Sequence, residues 1–194
     1  MSARALSPPL QTSPPARWVA GSLGHIIAPM PIILESWKDI TGDDYADFLD
    51  MALDWFGFFT LVWRDSSSFE DSAIQIRRDL ERHEVSRRRA SHWPGTYICR
   101  TANTPKADII TFRLDAGSRQ VLARPGSLFS WLAPKYPEDL AFYHREGRLA
   151  FTTVSHERMA WALDLDFGCS LPKHLEFTER EVELAGDGGF EYVA

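Results

Sequence analysis

"YPEDLAFYHREGRLAFTTVSHE", residues 136–157, reads as two strands folded back on each other. Leu140, Phe142, Phe151 and Thr153 alternate with other residues, the period of a half-buried strand. Glu146-Gly147 supplies the turn between them. A two-residue turn there pairs Arg145 with Arg148, Tyr143 with Ala150, Ala141 with Thr152 and Asp139 with Val154. The open end of the hairpin then gathers Glu138, Asp139, Ser155, His156 and Glu157. Strict alternation places Asp139 and His156 on one face and Glu138 and Ser155 on the other.

The rest of the chain extends this antiparallel pattern. "TGDDYADFLDMALDWF" sets Tyr45, Phe48, Met51, Leu53 and Trp55 at mostly helical spacing behind a Thr/Asp start signal. "FGFFTLVWR" is a continuous apolar run suited to a buried strand. "SSSFEDSAIQIRRDLERHE" predicts a second helix whose stripe is Phe69, Ala73, Ile76 and Leu80. "GTYICRT" and "ADIITFRLD" read as strands, "GSRQVLA" and "SLFSWLA" as short helices, and "MAWALDLD" as a continuation of the sheet. The segment "LEFTEREVELAGDGGFEYVA" has room for one more strand. Helices first and then strands with short connections predict an α+β single domain: a mainly antiparallel sheet packed by two or more helices. The expected division is a disordered extension at 1–29, a globular unit at 30–182 and a frayed tail at 183–194.

The extension is distinguished by composition. "MSARALSPPLQTSPPARW" is rich in Pro, Ser and Ala and holds no acid. The apolar run after it is broken by Gly21, Gly24, Pro29 and Pro31, which argues against a membrane span or a signal peptide. Met30 marks the expected start of the folded unit.

With 194 residues, 44% hydrophobic and 12% aromatic, the chain has ample material for one core. Its net charge of -6 argues against a general nucleic-acid coat or a membrane-surface role. Cys99 and Cys169 have no CxxC partner, which predicts reduced core thiols and a cytoplasmic setting. Glycine-rich phosphate loops, HExxH and the G-x-S-x-G elbow are absent, and the six histidines show no metal-ligand spacing, so no cofactor and no metal are expected. Trp93 and Trp131 read as core anchors.

"ERHEVSRRRASHWPG", residues 81–95, is the most basic stretch. Arg77, Arg78 and Arg82 alternate with Asp79, Glu81 and Glu84, the pattern of a solvated helix face. Arg87, Arg88 and Arg89 follow where that helix should fade. They are candidates for docking an acidic protein, and nucleic acid ranks last because the acids interrupt the positive surface.

The segments "FFTLVWRD", "WPGT" and "SLFSWLAPKYPEDLAFYHREGRLAFTTVSHE" resemble a set of bacterial proteins sharing W-R-D, W-P-G-T and S-L-x-x-W…P-E-D-L…S-x-x-H-E elements. The likeness spans residues 56–157 and departs from the pattern where Ser155 directly precedes His156. It implies a bacterial origin and one folded unit, and no reaction.

Two functions follow as expectations. The first is a protein-binding module of the immunity or accessory-factor kind, which is not an enzyme. The alternative is a metal-independent hydrolase or transferase using His156 with Asp139 or Glu138, where a carboxylate orients the histidine as a general base.

Overall fold

A computed structural model describes residues 32–65, 67–96, 106–184 and 190–192. The expected extension at 1–29 and the strand expected at "GTYICRT" beyond Thr96 lie outside the described residues, as does Cys99.

The strands are β1 (Ile32–Ser36), β2 (Phe58–Arg64), β3 (Glu84–Ala90), β4 (Ala107–Arg113), β5 (Glu138–Tyr143), β6 (Leu149–Val154), β7 (Met159–Ala162), β8 (Thr178–Leu184) and β9 (Phe190–Tyr192). They are ordered β3-β4-β2-β5-β6-β7-β1-β8-β9. Every pairing is antiparallel. The helices are α1 (Gly42–Trp55), α2 (Asp71–Leu80), α3 (Ala116–Leu122) and α4 (Leu165–Ser170). This is the expected α+β architecture. Residues from 183 onward, expected as a tail, contribute the end of β8 and all of β9.

All four helices pack on one face of the sheet. α1 buries Tyr45, Phe48, Leu49 and Ala52, an i, i+3, i+4, i+7 stripe. Trp55, expected on that stripe, is exposed. α2 buries Ala73, Ile76 and Leu80, while Phe69 precedes the helix and is only partly covered. These side chains join Phe59, Leu61, Ile110, Phe112, Leu140, Phe142 and Phe151 from the strands in the main core. Trp131 is fully buried there and donates its indole N–H to the Tyr45 hydroxyl at 2.9 Å. On the opposite face lie two smaller clusters: Val62, Ala107 and Ile109 with Trp93, and Ile33, Val154 and Met159 with Trp161.

Four local expectations are corrected. "IILES" becomes β1, an interior strand between β7 and β8, although no strand was expected there. "SLFSWLA" forms only a single 3₁₀ turn over Leu128–Ser130. The second helix ends at Leu80, and Arg87, Arg88 and Arg89 lie on β3, the terminal strand of the sheet. The alternation of charged residues there suits a strand exposed at an edge as well as a helix surface, so periodicity could not separate them. Cys169, expected in the core, is exposed.

Among the described residues, no helix is long and apolar enough to cross a membrane.

Candidate functional site

The β5–β6 hairpin keeps the expected register at its centre, with Ala141 opposite Thr152 and Phe142 opposite Phe151. It departs at both ends. The turn is a three-residue loop, because His144 N–H donates to Arg148 O at 2.9 Å and Gly147 adopts φ +89°. The extra residue is absorbed on β6, so Tyr143 pairs with Leu149 and not with Ala150.

The departure at the open end builds the site. Opposite β2, the register shifts between Thr60↔Ala141 and Val62↔Glu138, which leaves an extra residue on β5. Asp139 takes that place with φ 51°, in the left-handed region that Asp tolerates better than most residues. The bulge cancels the alternation expected between neighbouring residues. Glu138 and Asp139 are both buried, and both turn toward His156. The expectation that Glu138 points to the other face is therefore wrong.

His156 lies on a 3₁₀ turn, Ser155–Glu157, directly after β6. One ligand atom each from Glu138, Asp139 and His156 lie within 4.8 Å of one another. Asp139 is fixed from two sides: Ser155 N–H donates to Oδ1 at 2.9 Å, and the Trp93 indole N–H donates to Oδ2 at 2.7 Å. Thr153 Oγ1 meets the Leu140 backbone, accepting from its N–H at 3.0 Å and donating to its carbonyl at 3.1 Å. Ser155 is buried, which removes it as a surface nucleophile.

Arg64, the last residue of β2, closes the cluster. Its Nε is 2.6 Å from Glu138 Oε2, and its Nη2 is 4.0 Å from Asp139 Oδ2. The first contact is an ion pair whose geometry fails as a hydrogen bond, leaving Glu138 Oε2 buried without one. The guanidinium also lies over the Trp93 ring at 5.1 Å. Burial pushes the Glu138 carboxyl above its ordinary range against the opposing charge of Arg64, and Asp139 beside it pushes the same way. Burial likewise raises Asp139, against the hydrogen bonds from Ser155 and Trp93. His156 is exposed, and Arg64 is about one-third exposed. Two buried carboxyls, both raised above their ordinary range, thus stand behind a solvent-facing imidazole and a cation.

Glu138, Asp139 and His156 are also the donor types that hold a divalent cation. Linear spacing hides this set, because 17 positions separate Asp139 from His156. Arg64 already supplies positive charge to both carboxylates, so a metal would share or displace that role.

The arginine candidates separate. Arg87 pairs with Glu84 at 2.9 Å, and Arg89 pairs with Asp65 and Asp108. Arg88 points to the sheet face that carries Thr60 and Thr111. Consecutive strand residues alternate faces, so the three do not form one positive patch.

The residues of the W-R-D, W-P-G-T, P-E-D-L and H-E segments converge here as Arg64, Trp93, Glu138 with Asp139, and His156. No protein-family model matches the chain, and no curated protein or solved structure does either. The fold and site define a class: a single antiparallel sheet with helices on one face and a buried acid pair at a β-bulge.

Proposed function

We propose that this protein is a hydrolase or transferase that works by acid–base chemistry at His156. One observation carries the reading: the β5 bulge and the 3₁₀ turn after β6 bring His156 within 4.8 Å of two buried carboxyl groups. Burying two acids side by side is unfavourable, and such perturbed groups cluster at functional sites.

In this reading, His156 takes the proton from a water or an acceptor hydroxyl as that oxygen attacks an electrophilic centre. It then returns the proton to the leaving group. Asp139 and Glu138, within 4.8 Å, stabilise the imidazole's charged form through space, and Glu157 Oε1 lies 3.6 Å from Nε2. Arg64 offsets negative charge developing on the substrate. With Ser155 buried, the attack does not pass through an ester on that serine. A reduced, cytoplasmic setting suits the free thiol of Cys169.

The test is a turnover screen of activated carboxylic and phosphoric esters, with His156→Gln alongside. General acid–base catalysis contributes roughly 10²–10⁴-fold, so the variant should lose at least about 100-fold. Equal rates for the two proteins on every ester sink the reading.

A second reading, binding of another protein of the immunity or accessory kind, is favoured by β3. It is the terminal strand among the described residues, and its side chains from Glu84 to Arg89 are exposed. Such an edge accepts a further strand. A stoichiometric partner captured by the wild type and lost on reversing Arg87, Arg88 and Arg89 to Glu supports this reading. Retention of that partner by the variant refutes it.

A further inference from the structure

A cavity of about 460 Å³ opens on the sheet face opposite the helices. Phe58, Pro94 and Leu149 give it apolar walls. Thr60, Thr111 and Tyr143 supply hydroxyls. Arg88 is the one charged side chain among the residues that line it, and no acid joins it. The volume lies in the range of small-molecule sites, roughly 300–1,000 Å³.

This place is separate from the His156 cluster. Thr60 and Arg64 sit four positions apart on β2, about 13 Å along a strand. The turn at 93–96 divides the two sites. Trp93 reaches Asp139 on one side, and Pro94 lines the cavity on the other. That turn is seated on the sheet by Thr152 Oγ1, which donates to Pro94 O at 3.2 Å.

We infer that this cavity binds a small carboxylate with an apolar body. The polarity of its lining carries the choice. Arg88 is exposed, and unlike Arg87 and Arg89 it has no ion pair among the described residues, so its charge remains available. A carboxylate matches the fork of a guanidinium in a way that an ammonium or an alcohol cannot. Tyr143 and Thr60 line the cavity together, and burial pushes the Tyr143 phenol up, leaving the two hydroxyls as neutral partners for the same headgroup. Phe58 and Leu149 then cover the ligand's hydrocarbon part.

The experiment is an NMR titration of the full chain with sodium hexanoate and sodium 3-phenylpropanoate, and with hexan-1-ol and hexylammonium as controls. The carboxylates should shift the amides of Thr60, Thr111 and Tyr143 saturably. Hexanol should bind at least about 10-fold more weakly, because it lacks the charge-assisted pair. Arg88→Gln should weaken the carboxylates by about the same factor and leave hexanol unchanged. Thr111→Trp, which fills the cavity, should abolish both. Absence of saturable shifts with either carboxylate, equal binding of hexylammonium, or an Arg88→Gln variant that binds like the wild type overturns the assignment. None of these outcomes depends on turnover at His156.

Discussion

The Trp93 indole N–H donates to Asp139 Oδ2 at 2.7 Å, joining residues 46 positions apart at a buried point. The bond neutralises part of an acid that the β5 bulge forces inward. Trp93→Phe keeps an aromatic ring but removes the donor together with part of the indole's buried volume. The variant should lose at least about 1–3 kcal/mol, the cost of leaving a buried acceptor short of a partner, with the vacated ring space adding to it. Urea denaturation measures it, and a loss under about 0.5 kcal/mol would mean that water replaces the indole.

Acid should favour the folded state through Glu138. Burial raises its folded-state pKa above the unfolded value of about 4.3. The folded protein therefore binds more protons than the unfolded chain between those two values. The resulting stability is complete below the unfolded pKa and disappears as pH climbs through the folded one. Glu138→Gln should flatten this part of the stability–pH curve. A curve of unchanged shape in the variant refutes the assignment.

Gly95 carries the turn that separates the two sites. Its φ is +83°, and an added Cβ would come within 3.0 Å of Val154 Cγ2 and 3.1 Å of the Trp161 ring. Gly95→Ala should cost about 1–3 kcal/mol from backbone strain and crowding. A melting temperature equal to the wild type's would show that the turn shifts freely.

Ile76 is 1% exposed and packs α2 on the sheet. Ile76→Ala should destabilise the protein by about 2–5 kcal/mol. Chemical denaturation with an unchanged m-value tests this; a loss below about 0.5 kcal/mol contradicts the core position.

Nucleic acid should not bind at β3. Arg87 and Arg89 already neutralise Glu84, Asp65 and Asp108. A wild-type affinity for DNA or RNA that falls steeply with added salt, and vanishes when Arg87, Arg88 and Arg89 become Glu, would overturn this.

Periodicity over whole turns made α1, α2, β2, β4 and the β5–β6 pair legible, because apolar spacing reports which face of an element meets the core. Even Ala141 opposite Thr152 matches the expected register, because the residue added by the longer turn is taken up by the extra residue on β6. β1 was hidden because it is five residues long and lies beside glycines and prolines that read as interruptions. β3 was hidden because its charges fit either period.

The sequence by itself determined an α+β chain whose hairpin brings an acid near His156. Tertiary structure alone decided that both acids take part. Pairing with β2 is out of step by one residue beside Leu61, and that mismatch twists Asp139 to positive φ and turns Glu138 and Asp139 toward the same place. A bulge is set by two strands meeting and leaves no period in either one. The same holds for Arg64 and Trp93, whose contacts with the acids arise from strand order and from a turn crossing the sheet.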